Sequence, residues 1–405
     1  MKGPLEGIRV LECGMFIVGP LAASMLGDLG AEVIKVEDSV RGDPGRGVAT
    51  AQGLPSSLPG GRNYYFEVPN RSKRAITVNI TKPEGQEVIY RLIKQCDVFI
   101  QNFRPGVAER NNLDYATLSK INPKLVYASA SGYGSKGPDA TLPAIDMVGL
   151  ARGGWMTHCG EAHHPPLFPG NPIADQATAQ TLCNGILAAL VAVEKHGVGQ
   201  QIETSMLASV MAIQSISISG CLLTGRELSR PVRAKARNPL WSYYRCADDR
   251  WVALGMSQSD RYWKPFCDAI GKPEMGSDPK YDGWKARAKV CEEIIQVLDE
   301  VFATKSANEW IETLRQAGDF LVQPVKYHAE LVDDPQVIAN EYIVDYDHSV
   351  MGKVKLLNYP VNFSKTPAAI QSEAPEFGQN TEEVLLDVGG YTWEEIANLK
   401  ENEII

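Results

Sequence analysis

Several features are missing from this chain, and each absence removes a class of protein. No G-x-G-x-x-G signature follows the first strand-like run. The turn there reads "ECGMFIVGPLAAS" and offers only Gly14 and Gly19, so a nicotinamide or flavin dinucleotide site is not expected. No C-x-x-C pair occurs; the eight cysteines (13, 96, 159, 183, 221, 246, 267 and 291) are scattered, which reads as reduced, mostly buried thiols of a cytoplasmic protein. No run reaches the roughly 18 apolar residues of a membrane-spanning helix. The start, "MKGPLEGIRVLECG", sets no charged segment ahead of an apolar one. There is neither a repeat of fixed period nor a low-complexity tract. A basic excess is missing too: 40 Lys and Arg stand against 49 Asp and Glu, a net charge of −9. That argues against nucleic acid or an anionic membrane as the main partner. An anionic small ligand stays compatible, because local cations override the global sign.

What is present fits one large or two ordinary globular domains: 405 residues, 44% hydrophobic and 22% charged. The first half alternates short β-rich runs with helical patterns. "GIRVLEC" reads as a strand, "PLAASMLGDLG" as a helix opening on Pro20, and "AEVIKVE" as a strand. "TKPEGQEVIYRLIKQC" reads as an amphipathic helix with Thr81 as N-cap, followed by the strand "DVFIQNF", a short helix and the strand "KLVYASASGYG". This alternation predicts an α/β fold with a parallel, doubly wound sheet. Ligands of such sheets sit beyond the carboxyl ends of the strands, which directs attention to "CGMFIVGP", "EDSVRGDPG", "QNFRPG" and "SGYGSKGPD". "DQATAQTLCNGILAALVAVEKHG" predicts a long buried helix stopped by Gly197. The basic, polar stretch "TGRELSRPVRAKARNP" marks a boundary. We expect a first domain over 1–224, a smaller α+β domain over 225–329 with a hairpin turning near Asp248-Asp249, and mixed elements over 330–405.

The residues leave their chemistry open. His158, Cys159, His163 and His164 fall within seven positions, but no second cluster completes a tetrahedral metal site, so a pocket-lining loop is expected rather than a metal. Cations gather at predicted loop ends: Arg41, Arg46, Arg71, Lys73, Arg74, Arg104, Arg110 and Lys136. In an acidic protein such clustering suits a phosphorylated ligand, although each alone reads as a solvated charge. Asp146, in "PAIDMVGLARGG", stands before an apolar run and reads on its own as a helix N-cap, with Gly153-Gly154 ending a short helix.

The motifs together resemble the class III CoA-transferases, the family of formyl-CoA and carnitine CoA-transferases. The resemblance runs through "PLEGIRVLECGMFIVGPLAASMLGDLGAEVIKVE", "NRSKRAITVNITKPEGQEVIYRLIKQCDVFIQNFRPG", "LVYASASGYGSKGP", the Asp146 segment, "ADQATAQTLCNGILAALVAVEKHGVGQQIETSML" and the terminal "EFGQNTEEVLLDVG". "ARGG" and the hairpin "SYY" are most similar to members acting on 2-hydroxy acids and aromatic acids. The resemblance implies a Rossmann-like large domain completed by the C-terminal tail, a smaller domain between, and two chains interlocked as a dimer. It places the catalytic aspartate at Asp146. Asp146 would attack the donor thioester to give a mixed anhydride; the released CoA thiolate would return to give an aspartyl-CoA thioester, which the acceptor acid then attacks. It implies CoA contacts from Phe16, Ile17, Val18, Lys73, Arg74, Asn102, Phe103, Arg104, Arg110, Lys136 and Gly137, no permanently bound cofactor, and acyl-CoA and carboxylic acids as partners. The same family contains 2-methylacyl-CoA racemases, in which a histidine precedes the aspartate. Here that position is Ile145, which moves no proton, so transfer is favoured. Asp175 matches a second shared aspartate and reads as the cap of the long helix. Departures include Asp38 in place of a basic residue, and "AKARNPLWSYY" where the formyl-CoA enzyme carries a glycine-rich lid. Epimerisation, or a non-catalytic CoA-binding subunit of a heteromer, are the alternatives. The apolar and aromatic segment from Trp155 to Phe168 suggests an aromatic or aryl-substituted acceptor.

Overall fold

The computed structural model describes residues 3–51 and 53–405. The chain forms two compact units. One takes residues up to 157, 168–226 and 340–405; the other takes 158–167 and 227–339. The short segment 158–167 therefore belongs with the second unit, tied there by the Ala162 amide donating to the Pro231 carbonyl at 3.2 Å.

The first unit runs β1 (Arg9–Glu12), α1 (Val18–Asp28), β2 (Glu32–Glu37), a small hairpin of β3 (Thr50–Ala51) and β4 (Leu54–Pro55), α2 (Tyr64–Asn70), β5 (Arg74–Thr77), α3 (Pro83–Ile93), β6 (Val98–Gln101), α4 (Val107–Arg110), α5 (Tyr115–Ile121), β7 (Val126–Ser131), α6 (Asp146–Arg152), α7 (Ile173–His196), β8 (Gln200–Ser205), α8 (Met206–Ile213) and α9 (Ser215–Thr224). Six strands form one parallel sheet in the order β5-β2-β1-β6-β7-β8. Alternation along each strand builds a core on both faces. Leu11, Ile34, Val36, Ile76, Phe99 and Tyr127 face one layer. Val10, Val33, Val98, Ile100, Val126 and Ala128 face the other. Full burial of each large apolar side chain stabilises by about 1.5–3 kcal/mol relative to exposure.

The sheet has a topological switch point at β1. The chain builds outward from β1 through β2 to β5, then returns to add β6, β7 and β8 on β1's other side. The helices that follow β1 and β6 therefore pack on opposite faces of the sheet, and it is at such a point, in the crevice expected beyond the carboxyl ends, that ligands of open α/β sheets bind.

The 24-residue α7 qualifies by length and composition as a membrane span, as does the pair α8 and α9 if its 80° bend is ignored. The expectation that no stretch qualifies is thus corrected. Part of α7 is a core helix: Ala174, Ala177, Ala179, Leu182, Cys183, Ile186 and Ala189 are buried, and the last five of these pack on the sheet face that α1 also covers. Gly197 stops it with a left-handed φ of 68°. Thr81 does not cap α3. Lys82 holds that position, and the Thr81 hydroxyl donates to Asn79 Oδ1 at 2.6 Å.

The second unit has the expected hairpin, β9 (Trp241–Arg245) and β10 (Trp251–Gly255), turning through Asp249 at φ 60°. Helices α10 (Ser259–Ala269), α11 (Pro273–Ser277), α12 (Gly283–Lys289), α13 (Cys291–Phe302) and α14 (Ala307–Ala317) follow, then β11 (Val322–Pro324), antiparallel to β10, and α15 (Pro335–Ala339). Tyr244, Phe266, Phe302 and Trp310 centre its core. The tail adds the hairpin β12 (Ile343–His348) and β13 (Gly352–Leu357), then α16 (Thr381–Asp387) and α17 (Trp393–Glu401). The last two helices bury Val384, Leu385, Ile396 and Leu399 against the first unit's sheet.

Gly153 has a packing reason. A Cβ there would lie 2.3 Å from Val210 Cγ1 on α8. The close approach served by this glycine is therefore to α8. We predict that Gly153→Ala costs about 1–3 kcal/mol in urea unfolding and that adding Val210→Ala recovers part of it. An unchanged midpoint in the single variant contradicts this contact.

Candidate active site

Two aspartates meet where α6 and α7 begin. Asp146 is the first residue of α6, and its side chain makes no capping bond to that helix. Its Oδ1 instead accepts the backbone N–H groups of Ala174, at 2.6 Å, and Asp175, at 3.2 Å. Asp146 thus caps α7, whose own N-cap position, Pro172, offers no side-chain acceptor. Its Oδ2 is buried and has no partner among the described residues. Burial pushes this carboxyl above the ordinary range, and the two amides pull it part of the way back.

Asp175 occupies the first turn of α7 but caps nothing, contrary to the sequence reading. Its carboxylate accepts no hydrogen bond among the described residues, the residue is half-buried, and its oxygens are not sealed from solvent. Burial first, and the neighbouring Asp146 charge second, push it up to about 7. Of the two, the aspartate that lacks amide donors is thus the one raised furthest toward neutral pH. Tyr65, in α2, completes the group. Its phenol is raised by burial, then by Asp175, then by Asp146. Nothing in the sequence around "NYYFEVPN" ties Tyr65 to these carboxylates. Beneath α7's start, Trp155, Met156, Phe168 and Ile173 pack on Leu150, Ala174 and Val210. The Trp155 indole N–H is buried there without a partner among the described residues.

The remaining sequence-flagged residues separate into three groups. Phe16, Asn102, Phe103, Arg104, Arg110, Lys136 and Gly137 lie in loops or helices that follow the carboxyl ends of β1, β6 and β7. Arg104, Arg110 and Lys136 are exposed, and none has an ion pair among the described residues. The loop bearing Lys136 and Gly137 is anchored to α6 by Arg152, whose Nη2 donates to Asp139 Oδ2 at 2.5 Å. Ile17 and Val18 are buried at the start of α1, so only their backbone is left for a ligand.

Lys73 and Arg74 fit a ligand-binding role poorly. Lys73 is fully enclosed; its ammonium donates to Glu12 Oε2 at 3.0 Å, the Pro20 carbonyl at 2.8 Å and Asn70 Oδ1 at 2.9 Å, which uses all three protons. Burial pushes it down to about 8 despite the Glu12 charge. Arg74 starts β5, at the amino end of the sheet away from the crevice, and binds Glu32, Glu383 and Asp387. Their clustering in "NRSKRA" is a sequence proximity; a strand start separates both from the rim. Of the histidine-rich segment, His158 pairs with Glu227 at 3.4 Å and His163 with Glu161 at 3.5 Å.

The two aspartates should affect stability in opposite senses. Asp146→Ala removes the cap of α7 and is expected to cost about 0.5–2 kcal/mol. Asp175 binds its proton more tightly in the folded state, so its carboxyl costs stability as pH rises from the unfolded value near 3.8 to about 7. Asp175→Asn should therefore be more stable than the parent at pH 8 and no more stable at pH 4. Unfolding midpoints at the two pH values check this, and equal shifts at both contradict it.

Comparison with known proteins gives these groups a setting. The model of CoA-transferase family III matches residues 5–381. The succinyl-CoA–D-citramalate CoA-transferase of Chloroflexus aurantiacus is 31% identical over 99% of this chain and 98% of its own. The cinnamoyl-CoA:phenyllactate CoA-transferase of Clostridium sporogenes is 31% identical over 99% and 97%. Among solved structures, a CAIB/BAIF family protein from Brucella suis superposes with a TM-score of 0.84 at 26% identity, covering 96% of this chain and all of that one. The chain belongs to CoA-transferase family III and is a class III CoA-transferase.

Proposed function

We propose that the protein moves CoA from an acyl-CoA donor to a carboxylic acid through a covalent aspartyl intermediate, and that Asp175 is the nucleophile. The carrying observation is the division of labour between the two carboxylates. Asp146, the residue the sequence nominated, has one oxygen committed to the α7 amides and the other sealed. Asp175 has a free, reachable carboxylate. A raised proton affinity also makes the ionised form a stronger nucleophile at neutral pH.

In the cycle, an Asp175 oxygen attacks the thioester carbon, the C–S bond breaks, and CoA thiolate leaves a mixed anhydride. The thiolate then attacks the aspartyl carbonyl and releases the donor acid, leaving an aspartyl-CoA thioester. The acceptor carboxylate attacks that carbonyl to form a second anhydride and thiolate. Thiolate attack on the acceptor acyl carbon gives the new acyl-CoA and restores Asp175. Asp146 holds the start of α7, and with it Asp175, in place throughout. The exposed Arg104, Arg110 and Lys136 are suited to the phosphates of CoA.

The apolar surround of Trp155, Met156 and Phe168 supports an aryl-substituted or similarly apolar acceptor acid. A second copy of the chain as partner is supported by α9, which buries none of its residues and exposes Ile216, Leu222 and Leu223 at 88%, 79% and 86%.

Asp175→Ala should lower transfer about 1,000-fold or more with the fold intact, as read by circular dichroism and steady-state rates. Full activity in that variant contradicts the assignment. Donor kcat/KM should rise with pH and level off above about 7, since the carboxylate form attacks. Asp146→Asn removes the neighbouring charge and should move that midpoint to lower pH; an unmoved midpoint means the two groups do not interact as described.

A further inference from the structure

A second group of buried charges lies under the loop that joins β1 to α1, and the reaction cycle above makes no use of it. Glu12, Lys35 and Asp43 are all buried. Asp43 sits at the head of the turn 44–47, well away from the aspartate pair in sequence. Its Oδ2 accepts the Lys35 ammonium at 2.8 Å, and its Oδ1 accepts the backbone N–H groups of Gly45, at 2.8 Å, and Phe16, at 3.1 Å. Its own N–H donates to Glu37 Oε2 at 2.9 Å, and Glu37 is held in turn by Arg46. Lys35 also donates to the Gly14 carbonyl at 3.1 Å, while Glu12 Oε1 accepts the Gly14 amide at 2.6 Å. From the other side of the crevice, Asn102 grips Met15 at both backbone atoms, accepting its N–H at 2.8 Å and donating to its carbonyl at 2.9 Å. Buried or half-buried side chains from β1, the turn after β2 and the end of β6 therefore hold three successive backbone amides.

The loop they hold is strained. Phe16 has φ 60°, the left-handed region that a large side chain seldom adopts. Its ring is 46% exposed rather than packed away. Gly14 and Gly19 allow the bend, because a Cβ on Gly14 would lie 2.5 Å from Glu12 Oε1 and 3.1 Å from the Gly19 Cα. Charge-assisted hydrogen bonds in a dry setting are strong enough to hold such a conformation. Strain kept in place by a purpose-built network, at the switch point of the sheet, is characteristic of a ligand-contacting segment.

We propose that Asp43 is a positioning residue for donor binding: through its bonds to Phe16 and Lys35 it fixes the 14–16 loop, with the Phe16 ring on the rim of the crevice, in the conformation that receives the CoA thioester. This rests on the transferase reading above. Asp43 touches no reacting atom; it acts through the loop. The same Asp43 carboxylate also holds the Gly45 amide, and a Cβ on Gly45 would lie 3.8 Å from the Tyr65 carbonyl.

The test is steady-state kinetics with acyl-CoA donors and a panel of acceptor acids. The unaltered enzyme comes first; if it transfers no CoA with any pair, the transferase reading falls. Given transfer, Asp43→Asn keeps the side-chain shape but removes the charge that pairs with Lys35. It should raise the donor KM about tenfold while the acceptor KM stays unchanged. A merely structural role would lower the melting temperature and the yield of active enzyme and leave the donor KM alone, and that result overturns the proposal. If Asp43→Asn fails to fold, Asn102→Ala decides. It frees Met15 without disturbing the ion cluster and should shift the donor KM in the same direction. An unchanged donor KM in Asn102→Ala then overturns the proposal.

Discussion

The geometry of the aspartate pair depends on one interaction: a carboxylate from one helix closing the amino terminus of another. Helix α7 begins after a proline that supplies no cap, and Asp146 reaches across from α6 to take two of its orphan amides. That bond fixes the first turn of α7, and Asp175 is in that turn. It also divides two chemically identical side chains into different roles. The aspartate with amide donors is pulled part of the way back toward the ordinary range, whereas the one without them is raised by burial and by its neighbour to about 7. Two carboxylates with separated proton affinities recur in acid–base and nucleophilic sites. Here burial raises both, and the helix amides offset it only at Asp146.

The same economy is visible on the other side of the crevice. The β1–α1 loop carries no glycine-rich phosphate signature, and its shape is set from below by charges that would be costly to bury if they were not mutually paired. Lys35 lies among Glu12, Asp43 and Glu37, which together raise its proton affinity against the effect of burial. Asp43 lies below the ordinary carboxylate range, because Lys35 and the amides of Gly45 and Phe16 outweigh its own burial. Such a network gives little net stability compared with an apolar core of the same volume. What it supplies is a single loop conformation. The site is thus framed by two devices of one kind, each a buried carboxylate gripping backbone amides.

The fold was readable from alternation and hydrophobic period. Runs such as "RVLE" and "EVIKVE" are buried on both faces, which only a parallel sheet with helices on either side provides. The hairpin about Asp248-Asp249 followed from turn chemistry. Part of the site was readable too: both aspartates stood out. Their roles did not, because a cap is recognised in sequence by the helix it immediately precedes, and Asp146 caps a helix 28 positions further on. Lys73 and Arg74 stood out as neighbouring cations, yet the start of β5 puts one inside the protein and the other at the wrong end of the sheet. Asp43 stood out only as part of the loop "EDSVRGDPG" and Tyr65 not at all, since their long-range partners are not encoded in local pattern.

The central claim, that Asp175 carries the acyl group and Asp146 holds the helix, is tested most directly by trapping. The protein is incubated with an acyl-CoA donor, the intermediate is cleaved with hydroxylamine, and the peptides are mapped by mass spectrometry. The account predicts a hydroxamate on Asp175 and none on Asp146. Modification of Asp146, with Asp175 untouched, would contradict it.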